Sequence, residues 1–247
     1  MHASPRVSPA VLTALALVLG LAADLAVADG LSGLTPSQEA RGSIAKTRNV
    51  LAPYRTRGDM VDFVGAHPRR CATVPGNASI CVWPLSKRER GWRPLADALH
   101  TGDRLNLVCE FPENDAPRAD DSCSVHSQRS NRRYFRGQLN AVARGGRGPR
   151  SAVLKRRAVL EAQSRQLLSQ AKTAFALSTL VGDAPWNCPR GSRYSHCTWK
   201  TTAATYGHGT LAMSIGADLS KKVRMSCKLP GDGTDRAPDS CTVAIGD

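Results

Sequence analysis

The stretch VRMSCKLPGDGTDRAPDSCTVAI, residues 223–245, decides the fold, because it has a close counterpart in LNLVCEFPENDAPRADDSCSV, residues 105–125. Both stretches contain Cys-x-x-Pro, then an acidic loop, then Arg-Ala-x-Asp-Ser-Cys-x-Val. Upstream of each stretch lie a Val-Gly pair, a proline and two more cysteines, the second of which opens Cys-x-Trp. The four cysteines are separated by 10, 28 and 14 residues in the first copy and by 9, 30 and 14 in the second. The chain therefore duplicates one cysteine-framed unit, and we call the copies unit one and unit two.

The N-terminus has the pattern of a secretory signal peptide. Arg6 precedes an unbroken apolar stretch from Val11 to Ala23, and Ala26-Val27-Ala28 is a small-x-small cleavage site. The stretch has 13 residues, whereas a membrane span needs about 20. Asp24, directly behind it, disfavours an uncleaved anchor. We expect residues 1–28 to be removed, no transmembrane segment to remain, and the protein to be secreted or periplasmic.

All eight cysteines belong to the two units. An even cysteine count in an exported chain is typical of a disulfide framework. Zinc sites and thioredoxin-like redox sites use close pairs such as Cys-x-x-Cys, which this sequence lacks. Each unit is expected to close its own four cysteines, and both 14-residue intervals lie between strand-like segments. We therefore predict the pairs Cys109–Cys123, Cys227–Cys241, Cys71–Cys81 and Cys188–Cys197.

Strand-like segments flank the acidic loop of each unit. Val223–Leu229 and Ser240–Ile245 are predicted as two arms of a hairpin, with Leu105–Phe111 and Ser122–Val125 as their counterparts. The segment Thr210–Ile215 also alternates and is predicted as a strand. In the Cys-x-Trp motif the Cys and the Trp share one face of a strand. Two tryptophans are therefore predicted core residues of their units, Trp83 and Trp199.

Helix signals precede each unit. Ser151–Ser178 lacks Gly and Pro, and apolar residues recur there every seven positions, which predicts an amphipathic helix. A weaker start signal, Thr35-Pro36-Ser37 with Glu39, precedes unit one. The predicted class is α+β, mainly β, with two tandem homologous disulfide-stapled antiparallel β units, each preceded by a helix. The predicted organisation is 1–28 signal peptide, 29–59 helical segment, 60–125 unit one, 126–174 basic connector with the amphipathic helix, and 175–247 unit two.

The net charge of +14 is concentrated in the connector, residues 126–174. The connector has twelve Lys and Arg against one acid, Glu161, whereas units one and two have net charges of −1 and +2. Such an excess predicts contact with a polyanion, and a solvated linker is the alternative explanation. Tyr134 and Phe135, interleaved with the arginines, would add stacking or interfacial anchoring. The candidate contact residues are Arg129, Arg132, Arg133, Arg136, Lys155, Arg156 and Arg157.

No metal site, cofactor or catalytic residue is predicted. The hairpin loops are acidic, but their spacing fits no EF-hand. Asx-turns and local pairs of Arg118 with Asp121 and of Arg236 with Asp239 explain these residues instead. A serine recurs beside an Asp in both units, yet no histidine aligns between them to act as its base. His196 and His208 are expected at the surface of unit two.

The leading hypothesis is an exported non-enzymatic binding protein of the cell envelope or extracellular space. Its partner would be an anionic polysaccharide, lipopolysaccharide or a membrane surface contacted through the connector, with nucleic acid the less natural target. One alternative is a small secreted hydrolase or inhibitor-type effector with its site between the units. A cluster of His196, Tyr206 and His208 facing unit one would favour it. The other alternative is a structural subunit of an envelope assembly whose repeated faces polymerise.

Overall fold

The computed structural model describes residues 38–128, 130–144 and 150–246, so the predicted signal peptide lies outside the described residues. Unit one and the helix before it contain α1 (Gln38–Leu51), α2 (Arg57–Val64), β1 (Arg70–Val74), β2 (Ala78–Leu85), α3 (Trp92–Ala98), β3 (Leu105–Pro112) and β4 (Cys123–Ser127). The connector forms α4 (Ser130–Arg144) and α5 (Arg150–Gln170). Unit two contains α6 (Ala174–Val181), β5 (Tyr194–Thr201), α7 (His208–Ser214), β6 (Val223–Pro230) and β7 (Cys241–Ile245). The predicted α+β class, with a helix before each unit, is confirmed.

Two antiparallel sheets carry the four disulfides. The first sheet has the order β1-β2-β3-β4 and the second has the order β5-β6-β7. In unit two an isolated bridge between Asn187 and Thr198 lies beside β5, where unit one has β1. The cysteines of each sheet stand side by side across the strands. The predicted disulfides are confirmed: Cys71–Cys81, Cys109–Cys123, Cys188–Cys197 and Cys227–Cys241.

Both predicted hairpins are present, but the strand predicted at Thr210–Ile215 is wrong. Thr210–Ser214 belongs to helix α7, which starts after Gly207 and has Gly216 at φ 65° two residues after its end. Every residue of α7 is buried, so its apolar and small polar side chains do not sort into an inner and an outer face. Gly216 was the local signal of a helix end, because glycine readily adopts the left-handed conformation that often follows one.

The long helix predicted over Ser151–Ser178 is interrupted at residues 171–173. Thr173 is extended and its hydroxyl accepts the N–H of Ala176 at 3.1 Å, which starts the new helix α6. Helix α2 starts in the same way, since Thr56 and Asp59 form a reciprocal capping box. An N-capping residue satisfies amide groups that a helix leaves without intrahelical partners. Absence of Gly and Pro therefore did not guarantee one continuous helix.

The first sheet is covered on both faces. On one face Cys81, Trp83 and Phe111 pack with α1, α2 and α3 in a first core. On the other face Ile80, Val82 and Val108 join a second core that also holds Trp199 and the connector residues Phe135 and Leu160. Trp83 and Trp199 are both buried, as predicted. The continuous apolar run along β2 reflects this coverage on two sides.

Units one and two are docked against each other through polar as well as apolar contacts. Arg69 forms an ion pair with Asp183 at 2.8 Å. The Asn106 side-chain amide donates to the carbonyl of Gly182 at 3.0 Å. The rings of His126 and Tyr206 stack with 4.4 Å between centroids. The second core is therefore shared, and the fold presents the units in one fixed arrangement.

Candidate functional site

The second sheet has one face that the described residues leave uncovered. Burial alternates along β5: Cys197 and Trp199 are fully buried, whereas His196 and Lys200 are exposed. Strand β6 alternates in the same way, with Met225 and Cys227 inside and Arg224 and Lys228 outside. We call the outward-facing residues of β5, β6 and β7 the open face: Tyr194, His196, Thr198, Lys200, Arg224, Ser226, Lys228, Thr242 and Ala244.

Unit one has apolar residues at several of the positions that form the open face in unit two. Ile80 and Val82 flank Cys81, where unit two has His196 and Thr198 around Cys197. Val108 precedes Cys109, where unit two has Ser226 before Cys227. The difference follows from packing, because unit two covers this face of unit one. The open face has kept the backbone of its counterpart but has polar and basic side chains.

Basic residues lie directly opposite each other across β5 and β6. Lys200 pairs in register with Arg224, and His196 pairs with Lys228. The Lys200–Arg224 pair places two like charges at opposed positions of neighbouring strands, which destabilises a sheet. No acidic residue stands among the outward-facing positions of β5, β6 and β7 to relieve this. A bound anion would relieve the repulsion.

Hydroxyl groups occupy the middle of the open face. Thr198 and Ser226 are paired in register, and their side-chain oxygens are 3.2 Å apart. The Thr242 hydroxyl, on the neighbouring strand, donates to the Ser226 carbonyl at 3.4 Å. This neutral row separates the Lys200–Arg224 pair from the His196–Lys228 pair. The open face therefore alternates charged and uncharged hydrogen-bonding groups along the strands.

An aromatic ring stands beside each basic pair. Trp186 is 58% exposed, and its backbone N–H donates to the Thr198 carbonyl at 2.6 Å, which holds its backbone alongside β5. The Lys200 ammonium lies 4.5 Å from its ring centroid, and the Arg70 guanidinium of unit one lies 5.1 Å away. At the other end Lys228 lies 3.9 Å from the Tyr194 centroid. Cation–π contacts of this kind hold the cations over the rings.

The three cations of the open face have no carboxylate partner among the described residues, unlike several other cations of the chain. Lys172 pairs with Asp235 at 3.2 Å and Arg55 pairs with Asp120 at 2.7 Å. Within the described ranges, Lys200, Arg224 and Lys228 form no ion pair within 4.0 Å. The open face is thus an uncompensated basic surface with aromatic flanks, which suits an anionic partner.

The predicted polyanion-contact residues of the connector are only partly available. Arg156 donates to the Gln138 side chain at 2.6 Å, and Arg157 pairs with Glu161 at 2.9 Å and also donates to the Gly216 carbonyl. Arg136 and Lys155 are exposed. Arg129 lies outside the described residues, as do the side chains of Arg132 and Arg133.

The prediction that Phe135 stacks on a ligand or anchors at an interface is wrong. Its side chain is 4% exposed and belongs to the second core. Its ring meets that of Tyr134 edge to face, with 5.4 Å between the two centroids. The connector is therefore a packed pair of helices. Phe135, which lies in its basic run, is a core residue.

Arg118 and Arg236 do not form the predicted local ion pairs with Asp121 and Asp239. Both side chains are buried, 0% and 3% exposed, and donate to backbone carbonyls. Arg236 binds the carbonyls of Ala171 and Leu168 at the end of α5, and Arg118 binds those of Tyr54 and Leu51 at the end of α1. Burial lowers the pKa of both guanidinium groups. The recurrence of Arg in both units was the signal for this structural role.

The acidic loops bind the protein itself. Arg57 pairs with Asp115 at 2.9 Å, and the Asp232 carboxylate accepts the N–H of Thr234 at 3.0 Å in an Asx-turn. The side-chain and backbone hydrogen bonds from Thr234 lower the pKa of Asp232. In the described part of the chain, no three His, Cys, Asp or Glu residues are grouped so that they would hold a metal ion.

His196 and His208 lie on opposite sides of the second sheet. His196 is exposed on the open face, as predicted, but the surface location predicted for His208 is wrong, since it is fully buried. Its Nε2 lies 3.0 Å from the Leu219 carbonyl and its Nδ1 lies 3.1 Å from the Thr201 hydroxyl. Trp92 of unit one occupies the same position at the start of α3 and donates to the Asp103 carbonyl at 2.9 Å. The His208 ring in unit two and the Trp92 ring in unit one therefore each contact a backbone carbonyl in the loop that follows their helix.

Tyr206 faces unit one, whereas His196 is exposed on the open face. The ring of Tyr206 stacks on His126, and both side chains are buried. Burial lowers the pKa of His126 to about 4 and raises the pKa of Tyr206 to about 12. Both groups are therefore neutral near pH 7. The polar cluster that would have favoured an enzymatic site between the units is not assembled.

Comparison with known proteins gives no further indication of the function. No protein-family model, curated protein or solved structure matches the chain. Among the described residues, no helix has both the length and the apolar character of a membrane span. The function therefore has to be inferred from the geometry of the open face.

Proposed function

We propose that this protein is an exported, non-enzymatic binding protein that arose by internal duplication. Its partner is an anionic polymer of the cell envelope or extracellular space, bound on the open face of unit two. The observation that carries the proposal is the opposed arrangement of Lys200 with Arg224 and of His196 with Lys228, with no acid on the face. Four disulfides support an oxidising compartment, and the N-terminal sequence pattern supports export.

The connector supplies long-range attraction. It carries the excess positive charge of the chain, while Arg136 and Lys155 extend to solvent. A region of one sign of charge raises the local concentration of an oppositely charged partner and accelerates encounter. Short-range contact then falls to the open face, where cations have no internal carboxylate partner. This division of roles replaces a binding site made of the connector alone.

The same geometry gives less support to the two alternatives. An enzymatic site between the units would have used His196 together with Tyr206 and His208, but His196 is exposed on the open face while the other two are buried. In a polymerising subunit, unit two would offer the next copy an apolar face like the face of unit one that unit two covers. Unit two instead has His196 and Thr198 in place of Ile80 and Val82. Binding of a polyanion is the function that matches the basic and hydroxyl side chains of the open face.

The test compares two triple variants that remove equal charge. The first is Lys200→Ala, Arg224→Ala and Lys228→Ala on the open face. The control is Arg88→Ala, Arg93→Ala and Arg104→Ala, which are exposed on unit one. Binding of the oxidised mature protein to a sulfated polysaccharide, a polyuronate and lipopolysaccharide is measured from roughly 50 to 500 mM salt, a range over which several ionic contacts cost orders of magnitude in affinity.

We expect the open-face variant to bind at least about tenfold more weakly than the control, with a salt dependence shallower by about two to three ions. Equal losses in both variants would mean that total charge alone drives binding, which contradicts the role of the open face. Absence of binding to every polyanion at the lowest salt concentration would refute the proposed function.

A further inference from the structure

We infer that the open face contains two anion subsites and takes a linear anionic polysaccharide that runs along strands β5 and β6. This inference rests on the proposed function and adds the class of polymer and its register. The first subsite consists of Lys200 and Arg224 beside Trp186. The second consists of His196 and Lys228 beside Tyr194. Each subsite thus combines two basic side chains from neighbouring strands with one aromatic ring.

The two subsites are separated by a fixed distance along the strands. Lys200 and His196 are four residues apart on β5, and Arg224 and Lys228 are four apart on β6. At about 3.3 Å per residue, the separation is about 13 Å. Because both strands belong to one sheet and their side chains alternate, all four basic residues point to the same side. A ligand that fills both subsites must carry anionic groups about 13 Å apart.

The row between the subsites is suited to uncharged hydroxyl groups of a ligand. In the contact between Thr198 and Ser226 one hydroxyl donates and the other accepts. A hydroxyl has one proton and two lone pairs, so this pair keeps one O–H and several lone pairs for a ligand. The row carries no charge that would demand an anion. A polysaccharide, which places hydroxyl-bearing rings between acidic groups, matches this order of charged and neutral positions.

The aromatic rings favour a polysaccharide over single-stranded nucleic acid. Nucleic-acid grooves combine backbone contacts with aromatic rings on which successive bases stack. Here Trp186 is contacted by Lys200 and Arg70, and Tyr194 is contacted by Lys228 and Arg193. The rings therefore serve mainly to hold cations in place, which lowers the entropy lost when the cations bind a ligand.

The experiment uses uronic-acid oligomers of two lengths, one reaching about half and one about twice the 13 Å separation. Linking two weak contacts in one ligand raises affinity by about a hundredfold or more when its length spans both sites. We expect the full-length mature protein to bind the long oligomer about a hundredfold more tightly than the short one. Trp186→Ala should reduce this gain without changing the net charge.

Two double variants test whether the tighter binding of the long oligomer depends on both subsites. Lys200→Ala with Arg224→Ala removes the first subsite, and His196→Ala with Lys228→Ala removes the second. In either variant we expect the long and short oligomers to bind about equally, while Arg88→Ala with Arg104→Ala retains the hundredfold gain. All the substituted residues are at least partly exposed, so unchanged thermal unfolding of each variant verifies that its fold is intact.

Each outcome is decisive. A gain that persists in both pair variants, or no gain in the unmodified protein, would overturn the two-subsite inference, even if long polyanions still bind and the proposed function stands. Tighter binding of single-stranded DNA of matched length would overturn the assignment to a polysaccharide. If neither oligomers nor long polymers bind, the proposed function fails together with the inference.

Discussion

Replacement of Arg236 by Met should remove a large part of the stability of unit two. The guanidinium is 3% exposed and donates to the carbonyls of Leu168 and Ala171 at the end of α5. It also donates to the Ala237 carbonyl at 2.7 Å and the Pro238 carbonyl at 3.0 Å. These contacts tie the end of the preceding helix to the loop between β6 and β7. Met retains the aliphatic stem of the side chain but leaves the carbonyls without their donor.

The expected loss follows from the number of carbonyls left without a partner. A hydrogen bond to a charged group contributes about 1.5–3 kcal/mol, and leaving one member of a buried charged contact alone costs about 3–5 kcal/mol. The guanidinium regains hydration in the unfolded state, which offsets part of the sum. We expect Arg236→Met to lower the free energy of unfolding by about 3–5 kcal/mol. That is a large fraction of the 5–15 kcal/mol typical of a folded domain.

The assay is urea-induced unfolding at pH 7, followed by circular dichroism with the disulfides intact. Arg224→Met, an exposed arginine on β6, is the control and should change the free energy by less than about 0.5 kcal/mol. Asp239→Asn distinguishes the carbonyl contacts from a local ion pair, since Asp239 is exposed and should also contribute less than about 0.5 kcal/mol. A loss below about 1 kcal/mol for Arg236→Met, or an equal loss for Asp239→Asn, would refute the role assigned to the guanidinium.

Three further predictions concern stability. Cys227→Ser with Cys241→Ser opens a loop of 14 residues and should lower the free energy of unfolding by about 3 kcal/mol; an unchanged urea midpoint would contradict this. The pKa of His126 is about 4 in the fold against 6.5 for a free side chain, so the unfolded state takes up more protons between these values and stability falls as pH is lowered through this window. From pH 7 to pH 4.5, the free energy of unfolding of the unmodified protein should fall by about 2 kcal/mol more than that of the His126→Gln variant. Equal pH profiles of unfolding for the two proteins would refute this expectation. A side chain at Gly207 would meet the Leu180 carbonyl, so Gly207→Ala should destabilise the fold strongly. Gly137 on α4 faces open space, so Gly137→Ala should stabilise the fold by about 0.5–1 kcal/mol. Thermal unfolding of the two variants tests both expectations.

Much of the architecture was predictable because its signals are local or repeated. The acidic loops between Cys-x-x-Pro and Asp-Ser-Cys predicted the hairpins, and the equal 14-residue intervals predicted two of the disulfides. Helix α7 was missed because Thr210–Ser214 is buried throughout, so its pattern does not distinguish a strand from a helix. The break after α5 was missed because Thr173 is a weak local signal and because the carbonyls at the end of α5 are bound by Arg236, which is remote in sequence. Local patterns do not reveal such distant contacts.

The candidate site was less predictable than the fold. Charge counting pointed to the connector, where Arg156 and Arg157 turned out to bind other parts of the protein. Lys200, Arg224 and Lys228 are few and scattered in a unit with a net charge of only +2, so composition did not mark them. A residue-by-residue comparison of the units contained the signal, because Ile80 and Val82 are replaced by His196 and Thr198. Its meaning depends on which face of each sheet is covered.

The sequence by itself determined the disulfides and the hairpins, because neighbouring residues and recurring spacings carry this information. Only the tertiary structure decided that unit two covers one face of unit one and leaves its own equivalent face open. It also decided that Phe135 and Arg236 serve the interior, while Lys200 and Arg224 face each other without an acid. The physical reason is that burial and charge compensation are set by residues that meet through folding, at positions far apart along the chain.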